Sequence, residues 1–376
     1  MRIIITGGGT GGHIYPGISL AREFQSRDKN NEIIFVGTEH KMESEIIPQE
    51  GFRFLGLRVK GIERKFSLES LSALFLFLGS LFTSYGIIKD FKPDLVIGTG
   101  GYVSGSVALV SSLLGIPTFI HEQNVIPGIT NQFLSLTGKK VFTSFPESAG
   151  YFWRKERIVF LGNPIRKSIW QGNKEKIIKE NNLDSTKKTI LVFGGSKGAS
   201  TINKMVLHSL YLIEESIWLE WQVLIISGEE DFKNLTEKVT KSPFKETVRV
   251  LPYLHNIEDA YDLADLVVCR AGATTIAELS AKGIAAILIP YPYATGNHQL
   301  YNARFLESNL AALIIEEKEL NREKLAAELS KLLTDNKRLD LLARNSKKLG
   351  KRKAAQDIVD NIYDYMECKI SPGKTI

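Results

Sequence analysis

A short apolar run that ends in a glycine-rich loop and restarts as a helix occurs once in each half of this chain. No other feature restricts the fold as much. Arg2-Ile3-Ile4-Ile5-Thr6 leads into Gly7-Gly8-Gly9-Thr10-Gly11-Gly12-His13, after which apolar residues recur at helical spacing. Thr189-Ile190-Leu191-Val192-Phe193 leads in the same way into Gly194-Gly195-Ser196-Lys197-Gly198-Ala199. Glycine lets backbone approach an oxygen-rich ligand closely, and the helix start behind it offers unpaired N–H groups and a partial positive charge. Two such devices predict two bound anionic groups, or one ligand held between two domains, as in an enzyme that joins two substrates in a cleft.

Between these loops the pattern is strand then helix throughout. Strands are predicted at 2–6, 33–37, 52–59, 94–98, 117–121, 140–144 and 157–161 in the first half. In the second half they are predicted at 189–193, 221–227, 247–251, 265–269, 285–290 and 311–315. Short β-rich runs alternating with helical stretches specify parallel, doubly wound sheets covered by helices on both faces. A length of 376 residues exceeds one comfortable core. The expected fold class is therefore α/β, with two Rossmann-like doubly wound parallel-sheet domains facing each other across a cleft. The alternation pauses from Gly162 through Lys188, where Pro164 and many charges mark the linker. The expected domains are 1–163 and 164–345, with a terminal helix of about 346–376 packing back on the first.

Composition narrows the class further. Lys and Arg number 48 against 42 Asp and Glu, a net charge of +6. That excess suits phosphates or an anionic membrane surface, and it is too small and scattered for a nucleic-acid partner. Two cysteines, Cys269 and Cys368, form no disulfide or zinc framework and fit a reducing compartment. No signal peptide is expected, because residues 2–6 already read as a buried strand. The stretch Ser70 to Ile88 carries no charge. Its serines and glycines, and its place between two predicted strands, favour a crossover helix over a membrane span. Such a helix is either buried or exposes one apolar stripe to a membrane, with Arg64, Lys65, Lys89 and Lys92 flanking it.

Several motifs carry chemistry, each beside a plainer reading. Gly7-x-Gly9-x-x-Gly12 matches the dinucleotide fingerprint, yet the second strand ends in Gly37-Thr38 rather than in the acid that holds a ribose. His13 sits at a helix start, either as a donor that positions an acceptor or as a general base, for which a neutral imidazole suits a sugar hydroxyl. Thr99-Gly100-Gly101-Tyr102-Val103-Ser104-Gly105 is a third glycine turn, placed beside the first if strand order is ordinary. It either grips a pyrophosphate or serves tight packing. His121-Glu122-Gln123-Asn124 ends a strand with four polar residues, as a ligand-facing edge or as a capping turn. Gly272-Ala273-Thr274-Thr275-Ile276-Ala277-Glu278 has two readings. It is a capping box through Thr275 and Glu278, or a diphosphate cradle in which Glu278 takes both hydroxyls of a ribose. Gln299 follows a rigid Pro290–Pro292 loop and is placed to read sugar hydroxyls. There is no Asp-x-Asp clamp and no Gly-x-x-x-x-Gly-Lys-Ser/Thr loop, which argues against the common metal–nucleotide-sugar site and against a P-loop ATPase.

Taken in order, these motifs resemble the MurG family of bacterial cell-wall glycosyltransferases over nearly the whole chain. The resemblance rests on Gly7–His13 with Pro16-Gly17, Gly100–Gly105, His121–Asn124, Gly162-Asn163-Pro164-Ile165-Arg166, Gly194–Ala199, Gly272–Glu278, and Gln299 with Asn302-Ala303. It implies the GT-B fold and inverting transfer of N-acetylglucosamine from UDP-GlcNAc to the muramyl 4-hydroxyl of lipid I, giving lipid II and UDP. UDP-GlcNAc is then the donor substrate, with no tightly bound cofactor and no metal. Donor contacts carried over are Thr10, Gly11, Gly12, Asn124, Arg166, Ser196, Leu254, Ala273, Thr274, Thr275, Glu278 and Gln299. Acceptor contacts are Gly100, Gly101, Tyr102, Ser104, Gly105 and Glu122, with His13 catalytic. A lipid-linked acceptor implies peripheral docking on the cytoplasmic face of the membrane, through Phe75, Leu78, Leu81 and Phe82 with Lys139 and Lys140 as basic anchors. Proteins of a cell-wall synthesis complex are further expected partners. Ser106, Lys197, Ala271 and Ala285 depart from the family's more usual proline, glutamine, serine and proline, and touch fine specificity only. A diacylglycerol transferase of the same fold, and a non-catalytic UDP-sugar-binding scaffold, are the competing readings.

Overall fold

A computed structural model describes residues 1–59, 68–195 and 198–370. Ser196 and Lys197 of the second glycine loop, and Arg64 and Lys65, lie outside the described residues. In chain order the first elements are β1 (Arg2–Gly7), α1 (Gly11–Arg27), β2 (Glu32–Thr38), α2 (Glu43–Gln49), β3 (Arg53–Leu57) and α3 (Leu68–Phe91). There follow β4 (Leu95–Gly100), α4 (Tyr102–Leu113), β5 (Thr118–Glu122), α5 (Ile129–Leu134), β6 (Lys140–Thr143) and β7 (Ile158–Phe160). The next are α6 (Lys174–Glu180), β8 (Lys188–Phe193), α7 (Ser200–Leu210), β9 (Trp221–Ile226), α8 (Glu229–Thr240), β10 (Val248–Leu251) and α9 (Ile257–Leu263). The last are β11 (Leu266–Cys269), α10 (Ala273–Lys282), β12 (Ala285–Leu288), α11 (His298–Ser308), β13 (Leu313–Ile314), α12 (Arg322–Thr334), α13 (Asn336–Leu349) and α14 (Ala354–Ile370).

Two compact units result, one of Met1–Arg166 with the chain from Lys351 onward, the other of Lys167–Gly350. The first holds a seven-stranded parallel sheet in the order β3-β2-β1-β4-β5-β6-β7. Its central strands are apolar on both faces because helices cover both faces. Ile3 and Ile5 pack with α1 and α14, while Ile4 packs with α3 and α4. Register runs Ile4↔Ile34 on one side of β1 and Ile4↔Val96 on the other, then slips at Thr6 and Gly7 so that Gly7 pairs with Gly100. The α14 helix belongs to this unit. Its Ile358, Val359 and Ile362 are wholly buried in the core beside α1. Tyr363 packs tilted against Phe24 at 5.8 Å, Tyr365 meets Phe119 edge to face at 5.5 Å, and Asp360 pairs with Arg27 at 2.8 Å.

The second unit holds a six-stranded parallel sheet in the order β10-β9-β8-β11-β12-β13. Its core joins Ile190, Val192, Val223 and Ile225 of the sheet to α7 and α12. In both units the chain winds outward in one direction and then returns to start the other half. The switch falls between β1 and β4 in the first, and between β8 and β11 in the second. Ligands in open α/β sheets bind beyond the carboxyl ends of the strands at that point.

The crossover helix α3 connects β3 to β4. Among the described residues no helix is long and apolar enough to cross a membrane. Phe75, Leu78 and Phe82 stand 66%, 44% and 80% exposed, whereas Leu81 turns inward against the core of the unit. Lys140 is also half-buried, donating to Asn361 of α14 at 3.1 Å.

Candidate active site

At the first switch point two glycine-bearing turns and the polar end of β5 converge. Gly8 N–H donates to Gly100 O at 3.3 Å, tying the first glycine loop to the third. Gly100 has φ +110°, and a Cβ there would lie 2.6 Å from His13 Nδ1, so only glycine leaves room for the imidazole. Thr99 Oγ1 donates to His13 O at 2.8 Å, and His13 Nδ1 lies 2.9 Å from both Thr99 O and Gln123 Oε1. Gln123 Nε2 reaches Thr99 O at 2.7 Å and His121 Nδ1 at 2.9 Å, and His121 Nε2 reaches Gly162 O at 3.2 Å. His121 is fully buried, and burial pulls its pKa down to about 4.

Glu122 is buried as well, and burial raises its pKa. Its carboxylate accepts from the backbone N–H of Asn124 at 2.9 Å and Gly128 at 3.1 Å, and from Asn131 Nδ2 at 2.8 Å. It therefore frames the turn that carries Asn124. Tyr102 is exposed at the first turn of α4. Ser104 is wholly buried, and its hydroxyl donates to Gly101 O at 2.8 Å. A Cβ on Gly105 would lie 3.1 Å from Thr130 Cγ2, so this glycine fits α4 to α5. Thr10 is exposed ahead of α1, with Gly11 and Gly12 half-buried in its first turn. Arg166 lies over the Tyr15 ring at 4.8 Å, and Tyr15 is also the neighbour that a Cβ on Gly11 would meet, at 3.3 Å. The first unit thus collects His13, the Thr10–Gly12 loop, Asn124, Arg166 and the Gly100–Gly105 turn.

The second unit collects the rest around β8, β11 and β12. The α10 helix begins at Ala273 with Gly272 as its N-cap, and no side chain caps it. That start lies ahead of Thr275, so the capping-box reading fails and Thr275 and Glu278 are interior to the helix. Glu278 is 4% exposed and accepts from Tyr261 Oη at 3.1 Å. Thr274 Oγ1 is buried with no partner among the described residues, an orphaned hydroxyl at a helix start. Gln299 Oε1 accepts from Tyr291 N–H at 2.9 Å, which fixes the amide against the loop after β12. Leu254 is half-buried just past β10.

Two groups escaped sequence reasoning. Glu43, from α2, is 1% exposed, and its carboxylate accepts from Gly9 N–H at 3.1 Å and Thr38 N–H at 3.0 Å. It holds the first glycine loop from beneath. Arg270 follows β11, donates to Ile289 O at 3.2 Å, pairs with Glu317 and lies over the Tyr291 ring at 5.3 Å. It braces the carboxyl ends of two strands at the second switch point. The only sequence signal for Arg270 was a charge directly after an apolar strand, and Glu43 had none.

Two doubly wound parallel sheets, each with a glycine loop and a helix start at its switch point, make up the GT-B fold, and the family matches make this chain a glycosyltransferase of that fold. Residues 3–143 match the glycosyltransferase family 28 N-terminal domain, and residues 189–362 match the family 28 C-terminal domain. A UDP-N-acetylglucosamine--N-acetylmuramyl-(pentapeptide) pyrophosphoryl-undecaprenol N-acetylglucosamine transferase of Thermoanaerobacter sp. (strain X514) is 44% identical over 95% of this chain and 98% of its own. The protein of the same name from Acetivibrio thermocellus is 41% identical over 98% of this chain and 99% of its own. Among solved structures, MurG of Acinetobacter baumannii is 27% identical with a TM-score of 0.78, covering 96% of this chain and 99% of that one. The chain belongs to glycosyltransferase family 28.

Proposed function

We propose that the chain transfers N-acetylglucosamine from UDP-GlcNAc to the muramyl 4-hydroxyl of lipid I, forming lipid II and UDP with inversion at the anomeric carbon. The observation that carries the reading is His13, set at the first switch point between two glycine turns. No described residue hydrogen-bonds its Nε2. The acceptor's pyrophosphate lies against the Gly100–Tyr102 turn at the start of α4, where backbone N–H groups favour an anion. His13 takes the proton of the 4-hydroxyl as its oxygen bonds to the anomeric carbon, and the bond from that carbon to the diphosphate oxygen breaks.

The leaving UDP keeps the electron pair and is stabilised at the start of α10, where Ala273, Thr274 and Thr275 offer N–H groups and the orphaned Thr274 hydroxyl. Ser196 belongs to the same reading through its loop. Glu278, buried and anchored by Tyr261, accepts from the ribose hydroxyls. Gln299 addresses the sugar, and backbone near Leu254 addresses uracil. Thr10, Gly11, Gly12, Asn124 and Arg166 complete the donor set from the first unit.

Docking is peripheral, at the cytoplasmic face of the membrane. It uses Phe75, Leu78 and Phe82 on α3, together with exposed Leu113 and Leu114 at the end of α4. Lys89 and Lys92 stand near Leu114 and supply attraction to anionic lipid. The test is product analysis after incubation with UDP-GlcNAc and a short-chain lipid I analogue. Gain of one N-acetylhexosamine in β-linkage supports the reading. Glycosylation of diacylglycerol in its place, or UDP-GlcNAc binding without turnover, rejects it.

A further inference from the structure

The polar groups behind His13 admit one self-consistent arrangement of protons. The carbonyl oxygens of Gly162 and Thr99 only accept. Gly162 O lies 3.2 Å from His121 Nε2, so that nitrogen carries the His121 proton. Buried and with a pKa near 4, the His121 ring is neutral, so its Nδ1 is bare. This Nδ1 therefore accepts from Gln123 Nε2 at 2.9 Å. Thr99 O takes the second hydrogen of the same nitrogen at 2.7 Å. It also forbids the flipped amide, in which two oxygens would meet at that distance.

Gln123 Oε1 is thereby turned toward His13. Its distance to Nδ1 is 2.9 Å, and Thr99 O stands equally close. Facing two acceptors, Nδ1 must hold a proton. In the neutral His13 ring the lone pair then lies on Nε2, the nitrogen that no described residue engages. A free imidazole favours the opposite placement, with its proton on Nε2, so the network overrides the ring's own preference.

We propose that Gln123, oriented by His121, is a positioning residue that holds His13 as its Nδ1–H tautomer and so presents Nε2 as the base for the acceptor hydroxyl. The inference rests on the reading of His13 as the base. When the 4-hydroxyl gives up its proton, that proton goes to Nε2, and the cationic ring keeps its Nδ1–H on two oxygens. His121 stays uncharged throughout and adds no opposing positive charge.

The test is nitrogen NMR of the histidine rings in the full-length protein labelled with 15N-histidine. Resonances are assigned by their loss in His13→Ala and His121→Gln. Wild type is expected to show His13 protonated on Nδ1 and His121 protonated on Nε2. Gln123→Leu, which leaves Thr99 O as the remaining acceptor at Nδ1, is expected to move His13 only part of the way toward the Nε2–H form. It should lower kcat by roughly ten- to a hundredfold while each KM stays within about twofold. A wild-type His13 ring protonated on Nε2, or a folded Gln123→Leu enzyme with unchanged kcat or unchanged tautomer, overturns the inference. Turnover retained in His13→Ala would defeat the base reading while leaving the tautomer result standing. An inactive His13→Ala with the wrong wild-type tautomer defeats this inference alone.

Discussion

Replacing Gly101 by alanine tests how the two glycine turns of the first unit are joined. Gly101 is the N-cap of α4, with φ +84° and ψ 165°, a conformation that side-chain-bearing residues almost never adopt. A Cβ there would lie 2.6 Å from Gly8 O and 3.4 Å from Gly8 C and N, all backbone atoms that cannot rotate away. The strained backbone costs about 1–3 kcal/mol and the overpacking a similar amount. Gly101→Ala should therefore lose about 2–6 kcal/mol, a fall in Tm of roughly 4–24 °C for a unit of this size. Gly115→Ala is the control, since φ is +75° but nothing lies within 4 Å of its Cβ. It should lose only about 1 kcal/mol. Calorimetry of the full chain reads both variants, and acceptor-dependent UDP release should fall at least tenfold in Gly101→Ala alone. Equal Tm losses in the two variants would refute the argument that Gly8 blocks a side chain at 101.

The His121 ring has a pKa of about 4 when folded against an ordinary 6.5. As pH falls from 6.5 to 4 the unfolded chain takes up a proton that the folded chain refuses. The contribution is full above about pH 6.5 and lost toward pH 4, on the order of 3 kcal/mol, and His121→Gln should flatten that loss in urea midpoints at pH 7 and 4.5. Glu278→Gln should raise KM for UDP-GlcNAc roughly ten- to a hundredfold, as loss of a charged hydrogen-bond acceptor predicts, while Tyr261→Phe, which keeps the carboxylate, should raise it far less; equal effects would remove Glu278 from the ribose. The double variant Phe75→Ser/Phe82→Ser should cut sedimentation with phosphatidylglycerol vesicles by roughly tenfold or more, because two exposed rings lose their burial; unchanged partition would dismiss α3 as the docking element.

The sequence carries the architecture because its signals are local. Apolar runs of four to six residues bounded by glycine or charge mark most strands directly. The last predicted strand, 311–315, shrinks to Leu313–Ile314 because β13 pairs on one side only. The predicted strand 52–59 shortens to Arg53–Leu57 at the other sheet's edge. The linker at 162–188 contains a helix, Lys174–Glu180, capped by the Asn173 side chain, a signal hidden among the charges. The expectation that the third glycine turn lies beside the first holds because β1 and β4 pair across the switch point.

What the sequence conceals is contact between distant segments. His13, Thr99, Gln123, His121 and Gly162 come together only through strand order and the return from β7. Glu43 reaches Gly9 from another element, across 34 positions. Leu81 and Phe82 look equivalent in an uncharged run, yet one packs inward and the other is 80% exposed. Periodicity fixes the spacing of such residues; the neighbouring helix decides which of them is covered.

The central claim is acceptor-dependent transfer with His13 as the base. The most direct measurement is UDP release from UDP-GlcNAc, with and without a short-chain lipid I analogue, for wild type and for His13→Ala of matched stability. Release that requires the acceptor and falls by roughly a hundredfold or more in the variant is the predicted result. Release that ignores the acceptor, or that survives in His13→Ala, would contradict the account.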